Sequence, residues 1–267
     1  MTMDHLADER DFQLLENDRY TFSVLSRVLR GPCSCILTDH ARFILCHTVS
    51  PYPVWIWTPD GITPAEMEQA WQLAEQTVPL AEGYRYNLKC ELAEYFIARA
   101  QQEGIAAGIA TNMFAYDCPA VIPPSTPTDG SLHLCTPEDT DEAARMIFEF
   151  HGDIGADQQP MESCLQKAQQ YIAQNAFFFW KNASGDTVAC CSYNINDDLG
   201  CVSSVYTKPA HRRKHYAQHL VYQVTQQLAD QGLTPMLYTD ADYAASNACY
   251  EKIGYKLRGK LCTIAAR

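Results

Sequence analysis

Residues 206–217 read YTKPAHRRKHYA, and this stretch decides how the second half of the chain folds. A β-branched, apolar run from Val202 to Thr207 stops just before Pro209, and a helical pattern begins after the basic residues. Five potentially basic residues thus lie between a strand and a helix, in a chain of formal net charge −12. A helix N-terminus directs unpaired N–H groups outward and carries roughly half a positive charge. The stretch therefore predicts either an anion-binding turn suited to a pyrophosphate or an ordinary solvated basic turn.

The composition is that of an acidic globular protein. The 267 residues are 47% hydrophobic and 19% charged, which allows one large domain or two small ones. No run approaches the roughly 20 apolar residues of a membrane span, and the acidic, polar start from Met1 to Arg10 is unlike a signal peptide. We therefore expect a cytoplasmic protein that contacts neither membrane nor nucleic acid, since phosphate contacts need positive surface. Net acidity fits a cationic substrate.

The 12 cysteines lie mostly inside apolar runs, such as the one that ends at Cys46 and the one around Cys190. In a chain without a signal sequence, this placement predicts reduced cysteines that act as small buried hydrophobes. Cys33 and Cys35, with His47 nearby, are a conceivable metal site. The paired Cys-x-x-Cys spacings typical of zinc are absent, so we predict no metal.

A proline-rich segment divides the chain. Between Cys118 and Gly130 there are four prolines together with serine and threonine, which neither a helix nor a central strand tolerates. We predict a linker at 119–130 between an N-terminal lobe at 1–118 and a C-terminal domain at 131–267.

Hydrophobic periodicity predicts the element order of both halves. The second half reads βααβββαβαβ, with its long helix from about Arg213 to Ala229. The first half reads αβββαβαβ and starts with one helix from about Arg10 to Arg30. The shared order favours a diverged internal duplication, although no residue identities support it. Aromatic residues of the first half are predicted either to line a cleft or to fill the core: Tyr52, Trp55, Trp57 and Trp71.

The second half resembles the GNAT superfamily of acyl-CoA-dependent N-acetyltransferases, over residues 130–267. In that family the pattern Arg/Gln-x-x-Gly-x-Gly/Ala holds the CoA pyrophosphate on backbone N–H groups. Arg212 and Ala217 match the pattern, whereas His215 replaces its central glycine and Arg213 stands where a further glycine is common. A Cβ at the glycine position narrows the clearance for a phosphate, so cofactor binding is either kept or lost. The family's fold would give an α/β (α+β) protein with a mixed, mostly antiparallel sheet flanked by helices, in two lobes.

A second motif strengthens the resemblance. The family carries an Asn that contacts the CoA arm, and often a Tyr three residues later that protonates the departing thiolate. Asn247 and Tyr250 match at that spacing. The resemblance thus implies Tyr250 as the catalytic acid and acetyl-CoA as co-substrate. It implies that the cofactor-binding residues are Val205, Tyr206, Thr207, Arg212, Arg213, Lys214, His215, Tyr216, Ala217 and Asn247.

These residues imply direct transfer of an acetyl group to a primary amine. Backbone N–H groups near Val205 or Tyr206 are candidates to bind the thioester carbonyl oxygen. The amine must first lose a proton, and the sequence offers several bases without selecting one. They are Glu149, His151, Glu162, Asp240 and Asp242, with Ser203 and Ser204 as possible relays through water.

Two other readings stay open at this stage. A thiol acyltransferase or hydrolase would need an activated nucleophile, and Cys201 or Cys249 lies near the right elements without an activating motif. A non-catalytic CoA-binding sensor or pseudoenzyme would fit the altered loop. The first half has no counterpart to the Arg212–Ala217 loop, so we predict a cofactor-free lobe that shapes the acceptor cleft or mediates dimerisation. The acceptor is expected to be a small cationic amine or a peptide.

Overall fold

The computed structural model describes residues 3–155 and 159–266. Its contacts divide the chain into two compact units. Unit 1 comprises the described residues of 1–115, 239–243 and 257–267, and unit 2 comprises those of 116–238 and 244–256. This division does not follow chain order, because the C-terminal residues group with the first half. The 119–130 segment groups with unit 2, and the predicted domain division stays a prediction.

Unit 1 is built on short strands that follow two helices. Strands β1, β2 and β3 are antiparallel neighbours, β3 pairs with β4 in parallel, and β4 pairs with the C-terminal strand β11 in antiparallel register. The elements are α1 (Glu9–Glu16), α2 (Ser23–Leu29), β1 (Cys35–Thr38), β2 (Ile44–His47), β3 (Val54–Trp57), α3 (Pro64–Thr77), β4 (Arg85–Leu88), α4 (Cys90–Gln102), β5 (Ala107–Asp117) and β11 (Lys256–Ala266).

The helix predicted over Arg10–Arg30 is in fact two helices, α1 and α2. The break falls at Asn17 and Asp18, whose side chains compete with helical backbone bonds. Asp18 is also engaged elsewhere, since its carboxylate accepts from the Trp57 indole at 2.8 Å and pairs with Lys89 at 2.7 Å. A tertiary contact thus interrupts a pattern that local sequence reads as continuous.

The aromatic side chains of unit 1 fill its core. Trp55, Trp57 and Trp71 are buried, whereas Tyr52 is exposed. Trp71 packs edge-on against Phe96 with ring centroids 5.1 Å apart. The core interpretation is therefore confirmed for the three tryptophans.

Unit 2 contains the second set of strands and helices. Its strands follow the order β10-β9-β8-β7-β6, antiparallel except for the parallel pair β9 and β10. The elements are β6 (Ser131–Leu134), α5 (Thr140–Asp153), α6 (Met161–Ala173), β7 (Phe177–Lys181), β8 (Thr187–Asn196), β9 (Leu199–Thr207), α7 (Tyr216–Asp230), β10 (Thr234–Asp240) and α8 (Ala244–Ile253).

Amphipathic patterns place these helices on the sheet. One cluster of unit 2 combines the inner faces of α5 and α6 with Phe177, Phe179, Cys190 and Tyr206 from the strands. Helix α7 buries a stripe at helical spacing, namely Leu220, Val221, Val224 and Leu228. This packing holds α7 against the sheet next to β9. The turn that joins β9 to α7 therefore lies between two elements of fixed position.

The two units repeat one topology. In each, three antiparallel strands are followed by a helix and then by a strand that pairs in parallel with the third: β1-β2-β3-α3-β4 and β7-β8-β9-α7-β10. The predicted fold class, a mixed and mostly antiparallel sheet with flanking helices, is confirmed. The repeated order supports the proposed internal duplication. No helix of the described residues is long and apolar enough to span a membrane.

Candidate donor site at the turn from β9 to α7

The turn between β9 and α7 has an unusual backbone. After a short 3₁₀ turn at Pro209–His211, Arg213 has φ 62° and His215 has φ 65°. Both values lie in the left-handed region, which glycine enters freely and other residues enter at a cost of about 1–2 kcal/mol. These are the positions at which the GNAT pattern has glycine. The chain therefore keeps the glycine-type backbone path with non-glycine residues.

The N-terminus of α7 is open. His215 is its N-cap residue and offers no side-chain cap to the backbone. The first helical bond runs from the His219 N–H to the His215 carbonyl at 3.1 Å, so the N–H groups of Tyr216, Ala217 and Gln218 have no partner within the helix. Unpaired N–H groups at a helix N-terminus, next to residues of left-handed backbone, form an anion-binding concavity.

The cations of this turn fall into two groups. Arg213 and Lys214 are exposed, and neither has an ion pair within 4 Å among the described residues. Arg212, in contrast, pairs with Asp153 at 2.5 Å and donates from Nε to the Thr207 carbonyl at 3.1 Å. The charge available to a ligand therefore comes chiefly from Arg213 and Lys214, while Arg212 fixes the turn to the end of α5.

The equivalent helix of unit 1 has a closed N-terminus. Helix α3 follows the third strand of its unit, as α7 does, but Thr63 caps it in a capping box with Glu66. Thr63 accepts from the Glu66 N–H at 3.3 Å, and Glu66 accepts from the Thr63 N–H at 2.7 Å. Pro64 at the first helical position removes a further donor. An acidic, capped end does not bind anions, so only one of the two equivalent helices presents an open site.

A segment of the predicted linker lies against the turn from β9 to α7. Within unit 2, the Thr128 hydroxyl donates to the Lys214 carbonyl at 2.8 Å, and the Tyr216 hydroxyl donates to Asp129 at 2.7 Å. The His219 ring nitrogen lies 2.8 Å from the Thr126 carbonyl. We call residues 126–129 the strap. Sequence reasoning missed this role, because proline-rich composition indicates only that a segment is neither helix nor central strand.

Strand β9 diverges from regular pairing close to the turn. Its parallel pairing with β10 covers Leu199 to Val202, and β9 then continues to Thr207. The register against β8 shifts between Cys190 and Ser192, and Ser204 has φ 51°, which together mark a β-bulge in β9. Bulges of this kind re-aim the backbone next to functional sites.

The bulge decides which N–H groups face away from β8. Lys208 donates its N–H to the Val188 carbonyl at 3.0 Å, and the Tyr206 backbone hydrogen-bonds to the Cys190 thiol. Of the two strand donors proposed from sequence, Tyr206 is engaged with β8, whereas Val205 lies in the bulge, where the regular pairing with β8 is interrupted.

The Tyr206 side chain connects β9 to α5. Its ring is buried, and its hydroxyl hydrogen-bonds to Glu149. Burial, with the adjacent Glu149 carboxylate, raises the pKa of Tyr206 to about 12. The hydroxyl therefore stays protonated near neutral pH and orients Glu149, a partner that spacing along the sequence does not reveal.

Helix α8 carries the second motif on its inner face. Asn247 and Tyr250 are both buried, and the Tyr250 ring packs edge-on against Tyr255 at 6.0 Å. The neighbouring Cys249 is only half-buried, yet burial raises the pKa of its thiol to about 11. A thiol of that pKa is almost entirely protonated at neutral pH, which weakens the case for Cys249 as a nucleophile.

The proposed bases lie in different surroundings. Glu149 contacts Tyr206, whereas Glu162 is exposed at the start of α6. Burial lowers the pKa of His151, and its buried Nδ1 has no partner among the described residues. Asp240 and Asp242 belong to unit 1. Of the two serines, Ser203 hydrogen-bonds to Ser192 at 3.0 Å, and the Ser204 carbonyl accepts from Cys190.

One group of side chains in the described part of the chain brings three possible metal ligands together. It consists of Asp8, Asp11 and His40 in unit 1. Their atoms already satisfy one another: Asp11 accepts from the His40 ring at 2.8 Å and from the Thr38 hydroxyl at 2.6 Å. These bonds join Asp11, His40 and Thr38 in a polar network.

Comparison with known proteins agrees with these features. Residues 182–264 match the family model described as FR47-like protein. No curated protein matches the sequence. Among solved structures, a GNAT-family acetyltransferase from Colwellia psychrerythraea is 13% identical, with a TM-score of 0.61 over 100% of this chain and 99% of that one.

Two further structures resemble the whole chain. A GCN5-related N-acetyltransferase from Sphaerobacter thermophilus has a TM-score of 0.71 at 12% identity, and the match covers 99% of this chain and 95% of that one. A tandem GNAT protein from the clavulanic acid biosynthesis pathway has a TM-score of 0.52 at 12% identity, covering 99% and 98%. Residues 182–264 therefore match the FR47-like model, and the whole chain has the fold of these GNAT acetyltransferase structures.

Proposed function

We propose that this chain is an acetyl-CoA-dependent N-acetyltransferase whose donor site lies in unit 2, at the turn from β9 to α7. The observation that carries the proposal is the contrast between two equivalent helices. Helix α3 begins with a proline and an acidic capping box, whereas α7 begins with open N–H groups and exposed cations. We infer the reaction class from the fold, and we infer the position of the donor site from the N-terminus of α7.

The residues of the turn fit the pyrophosphate of CoA. The N–H groups of Tyr216, Ala217 and Gln218 would hold its oxygens, and Arg213 and Lys214 would add charge. His215 keeps the left-handed backbone of the glycine it replaces, and its exposed side chain leaves the N–H groups in place. Arg212 pairs with Asp153, so its main role would be to position the turn, and Arg213 and Lys214 would contact the phosphates.

The protein's own groups can assist the transfer at three points. Acetyl-CoA supplies the acetyl thioester that a neutral amine attacks. The Val205 N–H is our candidate donor to the thioester oxygen, where charge develops. Tyr250 is our candidate to return a proton to the departing thiolate, and Glu149, oriented by Tyr206, is our candidate to accept the proton from the amine.

The acceptor is proposed to be a primary amine of net positive charge, either a small cationic molecule or a basic peptide. The formal net charge of −12 supports this choice, because an acidic protein attracts cations and repels anions. Nucleic acid and membrane are not proposed as partners. A homodimer is compatible with the proposal and is not needed for it.

Turnover tests the proposal. The full chain would be incubated with acetyl-CoA and a panel of amines: a polyamine, an aminoglycoside, a lysine-containing peptide and an acidic amino compound. Acetylated products would be detected by mass spectrometry. We expect a cationic amine to be acetylated, and Tyr250→Phe to lower kcat by about 10- to 100-fold. Tyr52→Phe, at an exposed tyrosine of unit 1, is the matched control and should leave kcat unchanged.

The alternative is a CoA-binding protein without catalysis. The observation that favours it is His215, which has a side chain where the family pattern has glycine. Thermal stabilisation by acetyl-CoA, with no acetylated product from any amine of the panel, would favour it over the enzyme.

A further inference from the structure

Two cysteines of unit 1 lie in direct contact. The Sγ atoms of Cys90 and Cys262 are 2.8 Å apart, and both cysteines are free. Cys90 is the first residue of α4, and Cys262 lies on β11 opposite Leu88 of β4. The two are 172 residues apart in the chain, so contact arises from the fold and not from local sequence. The donor site proposed for unit 2 does not use this pair.

The surroundings of Cys90 favour its thiolate. It occupies the N-terminus of α4, where no side chain caps the backbone and the helix carries partial positive charge. The hydrogen bond from Cys262, with a smaller contribution from Lys260, outweighs the opposing effects of burial and the Glu94 carboxylate and lowers the pKa of Cys90 to about 7. Cys90 is also half-buried rather than enclosed, while Cys262 is buried. One sulfur of the pair is therefore the nucleophile and the other is the thiol held against it.

We propose that Cys90 and Cys262 form a site of reversible oxidation that takes a hydroperoxide as its oxidant. The Cys90 thiolate attacks the peroxide oxygen, which breaks the O–O bond and gives a sulfenic acid and, after protonation, water. The Cys262 sulfur then attacks the Cys90 sulfur, the S–S bond forms and the sulfenic oxygen leaves as a second water. Overall two thiols are oxidised to one disulfide and one molecule of hydrogen peroxide is reduced to two of water. A dithiol reverses the step by exchange.

The bond would fasten the C-terminal strand to unit 1. Residues Cys262 to Ala265 pair with Leu88 to Arg85, and Thr263 hydrogen-bonds to Asn87 at 2.7 Å. Backbone and side-chain bonds hold this strand in the reduced protein. A covalent link closes a loop of well over 100 residues, which restricts the unfolded chain strongly. Oxidation should therefore raise Tm by about 5 °C or more.

A second cysteine pair provides an internal control. The Sγ atoms of Cys33 and Cys46 are 3.3 Å apart, also in unit 1. Cys46 is fully buried on β2, and burial raises the pKa of its thiol far above the ordinary value. Neither member of that pair begins a helix. If proximity alone governed oxidation, both pairs would form disulfides. Only the Cys90–Cys262 pair has a cysteine at a helix N-terminus, so we expect that pair to be oxidised in preference to the other.

Peptide mapping of the full-length protein tests the proposal. The reduced protein would be treated at pH 7 with about one equivalent of hydrogen peroxide and digested without reductant. We expect a loss of about 2 Da, from the two thiol hydrogens, located in a Cys90–Cys262 linked peptide. In Cys262→Ser the sulfenic acid at Cys90 should persist and be captured by dimedone, and Cys90→Ser should abolish the link. Cys33→Ser should leave it intact.

A measurement on the unmodified protein guards against variants that fail to fold. Brief alkylation with iodoacetamide at pH 7 should label Cys90 at least about tenfold faster than Cys118 or Cys249, whose pKa values burial raises to about 11. Equal labelling of all cysteines, a Cys33–Cys46 link in place of the proposed one, or no link at all would overturn the proposal.

Discussion

Arg213 and His215 share the left-handed backbone conformation, with φ values of 62° and 65° on either side of Lys214. The two residues thereby adopt, without glycine, a left-handed backbone next to the N-terminus of α7, which has no side-chain cap. Histidine is among the residues that tolerate this conformation best after glycine, whereas arginine is less usual there. The surroundings hold the turn in place: Arg212 is tied to Asp153, and Lys214 is tied to Thr128.

This conformation predicts how residue 215 responds to substitution. His215→Gly removes the strain and a Cβ, so it should bind acetyl-CoA as tightly as the natural protein or up to about fivefold more tightly, with stability within about 1 kcal/mol. His215→Val places a β-branched residue at positive φ and should destabilise the protein by about 1–3 kcal/mol. Urea unfolding and cofactor titration measure both effects. A valine variant as stable as the natural protein would contradict the left-handed assignment.

The strap predicts a positioning role for residues far from the ligand in sequence. Tyr216→Phe removes the hydrogen bond to Asp129, and Thr128→Val removes the bond to the Lys214 carbonyl. Each should weaken acetyl-CoA binding by about 3- to 10-fold, since each loses one bond that orders the turn. Titration calorimetry measures the loss.

The double variant separates positioning from general destabilisation. Because both bonds act on the same turn, Tyr216→Phe and Thr128→Val together should cost less than the sum of the two single losses in binding free energy. Thr58→Val, at a buried threonine of unit 1, is the control for stability alone. Unchanged binding in both single variants would show that the strap does not position the site.

The raised pKa of Cys249 predicts that this thiol takes no part in the transfer. Cys249→Ala should keep kcat within about twofold of the natural protein, because a protonated thiol is a poor nucleophile. Pre-steady-state mixing with labelled acetyl-CoA should leave no acetyl group on the protein. An acetylated cysteine that disappears in Cys249→Ala would instead establish the covalent route.

The network around His40 predicts a pH dependence of stability. Burial opposes the charge on His40, but hydrogen bonds to Asp11 and Asp4 outweigh it and raise the pKa of the imidazole. A raised folded-state pKa contributes stability that is full below the unfolded value of about 6.5 and is lost as the pH rises through the folded value.

The variant His40→Asn isolates that contribution. Asparagine accepts the left-handed backbone of position 40 but carries no titrating charge. The neighbouring charges Asp4, Asp8, Asp11 and Arg10 are unchanged. The difference in urea midpoint between the natural protein and the variant should therefore shrink between pH 6 and pH 9. A difference that is constant over this range would exclude a charged His40.

Local patterns predicted most of the fold, and they failed where tertiary contacts decide. A capping box and a proline mark the start of α3, at Thr63, Pro64 and Glu66. Turn residues separate β7, β8 and β9. These elements can therefore be predicted from the sequence. The break between α1 and α2 was missed because it depends on Trp57 and Lys89, which bind Asp18 from distant parts of the chain.

The site shows the same division between local and distant information. The stretch Arg212 to Ala217 is contiguous, so the resemblance to the GNAT pattern identifies it from the sequence, together with Asn247 and Tyr250. The partners of those residues are not contiguous with them. Asp153 pairs with Arg212, Asp129 accepts from Tyr216, and Glu149 hydrogen-bonds to Tyr206. No local pattern assigns any of the three acids to its partner.

Calorimetric titration of the full-length protein with acetyl-CoA, compared with Arg213→Ala/Lys214→Ala, tests the central claim most directly. Arg145→Ala/Lys256→Ala removes the same charge from exposed positions elsewhere and serves as the control. We predict micromolar binding by the natural protein and the control, and binding at least about 30-fold weaker, with a smaller salt dependence, in the Arg213/Lys214 variant. No binding by the natural protein, or equal binding by all three, would contradict the donor site at the start of α7.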